Sequence, residues 1–241
     1  MWFRSKWIFT LIFCGSAFSA MAKEIVLETS SSQVRLLELF SSEGCSSCPP
    51  AESWFSNLQS SDELWKSIVP VSFHVTYWDY LGWADRFARP EYTQRQEQYA
   101  ALRNSGSVYT PEFVVNGEEW RGWFRGQTLA GSDPANPGKL TVRINGVQVA
   151  VQFAANQKDN YKVYLAPLGM NLTSKVRGGE NSGRNLRHDF VVLDLQTSDL
   201  QPNGGKWVAT LNVKWQDAKA VAAWVTQGNN LTPIQAAGGF L

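Results

Sequence analysis

Leu37-Glu38-Leu39-Phe40-Ser41-Ser42-Glu43-Gly44-Cys45-Ser46-Ser47-Cys48-Pro49-Pro50-Ala51 is the stretch on which the reading of this chain turns. It closes an apolar run that starts at Val34 and is interrupted only by Arg35 and Glu38. Such a run suits a strand covered on both faces. Gly44 then permits a tight turn, two cysteines follow two residues apart, and two prolines lead into a helical stretch over about 51–58. Proline costs little in a first helical turn, whose N–H groups have no helical partner. It also disfavours helical geometry at the preceding residue, here Cys48. The helix is therefore expected to begin at Pro49 or Pro50.

Working outward, Val69, Val71, Phe73 and Val75 alternate with Pro70, Ser72 and His74, the pattern of a second strand. The aromatic segment 77–83 fits neither period. A helix is predicted over 91–103, after Pro90 and before Gly106. Thr110-Pro111 leads into the strand 113–115, Asn116-Gly117 is a hairpin turn, and 118–123 would return. The first half reads β–α–β–α–β–β, with parallel strands across the helical crossovers and an antiparallel hairpin. The turn-rich residues 133–138 set the expected domain boundary near 131–139. Beyond it, a hairpin over 140–144 and 147–153 is followed by candidate strands at 161–165, 189–195, 207–215, 220–226 and 232–236. They predict a β-rich subdomain over 139–241.

At the N-terminus, Arg4 and Lys6 precede an apolar stretch, 7–18, and the small-x-small motif Ala20-Met21-Ala22. This is the plan of a secretory signal and is too short to span a bilayer. Residues 1–22 are expected to be removed, which places the mature protein in the periplasm or outside the cell. Losing Arg4 and Lys6 takes the 22 basic residues to 20 against 21 acidic ones. A near-neutral chain has no charge footprint for nucleic acid or anionic lipid. No second apolar run is long enough to cross a membrane, so no stable insertion is expected after cleavage. Cys14 leaves with the signal, so Cys45 and Cys48 are the only cysteines of the mature chain. An oxidising compartment allows them to pair.

Two thiols at this spacing suit three chemistries. In a redox pair, Cys45 attacks a substrate sulfur and Cys48 resolves the mixed disulfide. The following helix lowers the pKa of the first thiol, while Glu43 works against it. As a structural disulfide the pair would staple the loop. With His74 it would form a soft-metal set suited to copper. No cofactor is expected, and metal enters only through that alternative set. Tyr77 and Trp78, close to the cysteines, are candidates for holding an unfolded polypeptide. His188 reads as a structural histidine inside a polar loop network of Glu180, Asn181 and Arg184. Asp79 and Asp85 could pair as acid and base, but the sequence does not set their separation. There is no phosphate-binding glycine loop, HExxH motif, serine-nucleophile motif or EF-hand.

The stretch 37–51 resembles the signature of an uncharacterised family of exported, mainly proteobacterial proteins of thioredoxin-like fold. Residues 73–83, Val108-Tyr109-Thr110-Pro111, Val115-Asn116-Gly117, 179–184 and 186–188 carry the same resemblance. It implies an α/β fold: a thioredoxin-like mixed sheet with flanking helices over 23–131, then the C-terminal all-β subdomain. It also implies that Pro111 is cis and faces the cysteines, and that the backbone at Thr110 pairs with an extended substrate. A helix closing the unit after Gly131-Ser132-Asp133 is cut short here by Pro137 and Gly138. The function expected is an exported thiol–disulfide oxidoreductase using Cys45, Cys48 and Pro111, with Thr110, Tyr77 and Trp78 on the substrate side. Its partners would be exported proteins or small thiols with exchangeable disulfides, not nucleic acid. Two alternatives stay open: a non-catalytic binding protein on a disulfide-stapled scaffold, and a Cu(I) chaperone using Cys45, Cys48 and His74.

Overall fold

The apolar run around Leu37 forms a strand buried on both faces, and the rest of the molecule is arranged about it. The computed structural model describes residues 24–127, 129 and 135–241. The expected secretory signal, Cys14 and residues 131–134 of the expected boundary lie outside the described residues. The first elements are β1 (Ile25–Glu28), β2 (Arg35–Ser41), α1 (Cys48–Ser56), β3 (Ile68–His74), α2 (Pro90–Leu102), β4 (Glu112–Val115) and β5 (Glu118–Glu119). Then come β6 (Gly138–Asn145), β7 (Gln148–Ala155), β8 (Tyr161–Gly169), β9 (Leu172–Lys175), β10 (Asn185–His188) and β11 (Val191–Val192). The last are β12 (Gln196–Asp199), β13 (Gln201–Asn203), β14 (Lys206–Asn212), β15 (Ala220–Gln227) and β16 (Pro233–Phe240).

A nine-stranded mixed sheet runs β16-β15-β8-β11-β3-β2-β4-β5, with β12 also paired to β8. Within it β2 and β11 each run parallel to β3. A five-stranded antiparallel sheet has the order β1-β6-β7-β14-β13, and β9 with β10 forms a separate ribbon. No helix among the described residues is long and apolar enough to cross a membrane.

This corrects the expected fold class. The chain is not a thioredoxin-like α/β sheet with flanking helices followed by a separate all-β unit. Strands dominate, there are two α-helices among the described residues, and β8, β11, β15 and β16 extend the sheet that β2 and β3 begin. The reason lies in β3. All seven of its residues are buried, so an open edge there would strand backbone N–H groups away from water. Downstream strands supply the partner: Ser72 N–H donates to the Phe190 carbonyl at 2.8 Å, and Val191 pairs in register with Ser72.

Period-2 alternation sorts the side chains into three cores. On one face of the large sheet Leu36, Phe40, Phe73 and Trp224 pack on Tyr92 and Tyr99 of α2. On the other face, Leu37, Leu39, Phe113 and Phe190 pack on Ala51 and Phe55 of α1. Further along that sheet, Val163, Val221 and Val225 meet Val142, Val151 and Phe153 of the five-stranded sheet. The start of the expected closing helix, at 131–134, lies outside the described residues, and after β5 the chain makes a short helical turn, Gly122–Arg125. Trp120 and Trp123 turn inward there to stack around Phe113 and Trp54, which also shortens the expected return strand to β5.

Candidate functional site

Ser41 ends β2, the chain turns through Gly44, and α1 begins at Cys48, with the two prolines in its first turn. A Cβ on Gly44 would lie 3.0 Å from the Trp78 Cβ, so any larger residue there would press the loop and Trp78 apart. Cys45 and Cys48 are both free thiols and both fully buried. Cys45 is thus deeper than its place at a loop edge suggests. Its sulfur lies 3.1 Å from Ser47 Oγ and 3.8 Å from the Thr110 carbonyl oxygen. The Thr110–Pro111 peptide is cis, and Trp78 Nε1 donates to Thr110 Oγ1 at 2.8 Å. Cys45, Cys48, Thr110, Pro111 and Trp78 therefore share one place. Tyr77 turns inward and its hydroxyl donates to Gln96 Oε1 at 3.1 Å, leaving Tyr80, 80% exposed, as the open aromatic of that segment.

The two thiols are electrostatically unlike. A hydrogen bond from the Cys48 thiol outweighs the cost of burial at Cys45, and the Ser47 hydroxyl and amide add to it, lowering Cys45 to about 6. Burial pushes Cys48 well above the ordinary thiol range, and its role as donor to Cys45 and the nearby Glu52 carboxylate push the same way.

Beneath the cysteines lies a buried ionic cluster. Glu52 sits one helical turn after Cys48, on the same face of α1. It accepts a hydrogen bond from Ser41 Oγ, and its other oxygen lies 3.1 Å from His188 Nδ1. His188 Nε2 is 3.3 Å from Glu43 Oε1, while Glu43 Oε2 accepts from Trp83 Nε1 at 2.6 Å. His74 Nδ1 is 2.6 Å from Asp85 Oδ2, and the His74 and His188 rings meet edge-on at 5.0 Å. Burial works against the His188 charge, but the Glu52 and Glu43 carboxylates beside it raise its pKa to about 10. Burial likewise pushes Glu43 and Glu52 up, and His188 overrides it, holding both below the usual carboxylate range. Asp85 is held at about 2 against burial by His74 and by the amides of Glu43 and Phe87.

A loop from the distant half of the chain closes the site. Gly179 N–H donates to the Leu81 carbonyl at 3.1 Å, and Glu180 N–H to the Gly44 carbonyl at 3.3 Å. Glu180 Oε2 accepts from both the amide and the hydroxyl of Ser46, at 2.9 and 2.7 Å. Asn181 Nδ2 donates to the carbonyls of Glu43 and Cys45 at 3.0 and 2.8 Å. A Cβ on Gly178 would lie 2.5 Å from the Gly82 carbonyl oxygen, so this approach also depends on glycine.

Sequence reading placed Glu180, Asn181 and Arg184 around His188. Glu180 and Asn181 instead clasp the cysteine loop, and Arg184 Nη1 donates to Asn181 Oδ1 at 2.7 Å. In the sequence, Glu52 is marked only by its i+4 spacing from Cys48. His74 groups with Glu52 and His188 rather than with the thiols. A groove of about 830 Å³ between the 155–160 and 202–207 turns contains none of these residues.

Two solved structures resemble the fold of this chain. Protein AGR_C_4864 from Agrobacterium tumefaciens, a crystal structure, is 24% identical with a TM-score of 0.60, over 87% of this chain and 94% of that one. HBP35 of Porphyromonas gingivalis is 16% identical with a TM-score of 0.61, over 88% of this chain and 76% of that one. At these identities the likeness concerns the fold alone. No curated protein matches the chain. Residues 36–227, which span the cysteine pair, the ionic cluster and the clasping loop, match the family described as "Protein of unknown function (DUF1223)", and the chain belongs to that family.

Proposed function

We propose that this protein carries out thiol–disulfide exchange through Cys45 and Cys48, in the periplasm or outside the cell. The observation that carries the reading is the division of roles within the pair. Cys45 sits beside the Thr110 carbonyl with Ser47 and Cys48 as donors, and Cys48 is packed at the start of α1. The Cys45 thiolate attacks one sulfur of a partner disulfide. A bond forms between Cys45 Sγ and that sulfur, and the partner's other sulfur leaves as a thiolate that takes a proton from water. Cys48 then gives up its proton and attacks Cys45 Sγ, forming the Cys45–Cys48 disulfide and releasing the second partner thiol. The partner gains two electrons and the protein loses two; the reverse sequence oxidises a dithiol partner.

The partners of this reading are exported proteins or small thiols with exchangeable disulfides. The Thr110 backbone lies beside the attacking Cys45 sulfur, and Trp78 is held there by its hydrogen bond to Thr110. No cofactor is required, because the electrons pass between sulfurs. Export rests on the N-terminal signal pattern. Access to Cys45 requires the 178–183 loop or Trp78 to shift.

The complete burial of Cys45 favours a second reading, a non-catalytic binding protein in which the cysteines only organise the loop. A trapping experiment separates the two. Cys48→Ser should hold partners as mixed disulfides on Cys45, and Cys45→Ser should hold few or none. If Cys48→Ser captures nothing, and the wild type neither reduces nor oxidises any disulfide substrate, the exchange reading fails and the second one stands.

A further inference from the structure

The ionic cluster offers more ligand atoms than its hydrogen bonds use. His74 Nδ1 faces Asp85 Oδ2, and Asp85 is itself pinned by the amides of Glu43 at 2.8 Å and Phe87 at 2.9 Å. Asp85 thus sets the orientation of the ring and leaves His74 Nε2 with no hydrogen-bond partner. Both nitrogens of His188 and Glu43 Oε1 are also outside hydrogen-bond geometry, although His188 lies within ion-pair distance of two carboxylates. His74 and His188 are 1% and 2% exposed, so water does not make up the deficit at the surface. His188 is thus met by carboxylates, whereas His74 Nε2 has neither a hydrogen-bond nor an ion-pair partner, and a buried nitrogen left this way is costly and calls for one.

We propose that Glu52, His74 and His188 form a binding site for one divalent first-row transition ion, separate from the thiols. One ligand atom from each residue lies within 4.8 Å of the others. The three come from α1, the end of β3 and the end of β10, so the fold, and not local sequence, brings them together. Tetrahedral zinc with bonds of about 2.0–2.1 Å has ligand–ligand edges of roughly 3.3 Å. Closing the set therefore takes side-chain movement on the order of 1 Å, and His188 and Glu52 are already at 3.1 Å. Two imidazoles and a carboxylate suit zinc and ferrous iron better than they suit copper(I), which prefers sulfur. Asp85 stands behind His74 as outer carboxylates stand behind metal-bound histidines. Ligation takes both rings as neutral imidazoles, so the ion replaces the proton that Glu52 and Glu43 hold on His188, and the Glu43, Glu52 and Asp85 carboxylates face the ion's charge instead.

The test uses the full mature chain, stripped of metal by a chelator, and zinc(II) or cobalt(II) as the probe. The reduced protein and the Cys45→Ser/Cys48→Ser double variant are titrated by calorimetry and by visible spectroscopy. Each should take up one ion per chain at this site, and the cobalt form of the double variant should show ligand-field bands of nitrogen and oxygen ligation. In the double variant, His188→Gln should weaken binding at least tenfold, with circular dichroism to confirm folding. Asp85→Asn keeps all three ligands and should weaken binding by roughly 10–100-fold, as loss of an outer-shell partner does. It also keeps the test open if His188→Gln does not fold. No uptake by the folded double variant, or uptake indifferent to His188→Gln or to Asp85→Asn, would overturn the proposal.

Discussion

Two buried ionic clusters lie on opposite faces of β2, and they are finished to different degrees. On the α2 face, Arg95 Nε and Nη2 donate to the two oxygens of Glu38 at 2.6 and 3.1 Å, and the Tyr99 hydroxyl donates to Glu38 at 2.6 Å. The guanidinium is ringed by Phe73, Tyr99, Tyr164 and Trp224, each centroid within 5.5 Å. Among the described residues, no buried polar atom of Glu38, Arg95 or Tyr99 lacks a partner. On the α1 face, His74, His188 and Glu43 keep orphaned atoms, directly below two free thiols. The saturated cluster has room for one role, which is to hold α2 on the sheet. The unsaturated one retains capacity for protons, ions or movement.

The largest effect that could break this comparison belongs to the saturated cluster. Arg95→Ala leaves the Glu38 carboxylate buried and unpaired, and should cost about 3–5 kcal/mol in a urea melt. It should leave partner trapping by Cys48→Ser intact in whatever fraction stays folded. A loss under about 1 kcal/mol would mean that the two faces do not differ as described.

Asn181→Ala tests the clasp over the other face. It strips donors from two buried carbonyls and should cost about 1–3 kcal/mol. Cys45 alkylation should accelerate, because the 178–183 loop then opens more readily. Slower or unchanged alkylation would show that access runs elsewhere.

The smallest effect concerns the thiol itself. Thiolate ultraviolet absorbance should show one step near pH 6 from Cys45, with Cys48 still protonated there. The sign is set by a lowered folded pKa: the thiolate is present above about 6 and disappears as pH falls through it. Alkylation of Cys45 should follow the same curve. Ser47→Ala removes one donor and should move the midpoint upward. A step near the ordinary thiol value of about 8.5 would remove the distinction between the two sulfurs.

Much of the local structure was legible because it is written in short-range patterns. The alternation in 69–75, the proline that opens α2, and Asn116-Gly117 each specify their element within a few residues. Sheet membership was not legible. β11 is only Val191–Val192, too short to carry a period, yet it joins the two halves of the large sheet. The site divided in the same way. Cys45 and Cys48 stand out by spacing, and Thr110-Pro111 by its position before a hairpin. The burial of Cys45 could not be seen, because Asn181 and Glu180 reach it from more than 130 residues away. The same distance hid His188, which meets Glu52 only when β10 packs beside α1.

The central claim is that Cys45 and Cys48 are a working couple and not a fixed staple, and its most direct test is their reduction potential. The couple would be equilibrated with redox buffers of known potential and the dithiol fraction read by mass after alkylation of the denatured chain. Stabilising the Cys45 thiolate favours the reduced form and raises the potential. A working couple should sit above about −300 mV, within reach of thiol partners. A value below about −300 mV would mark a structural disulfide and contradict it.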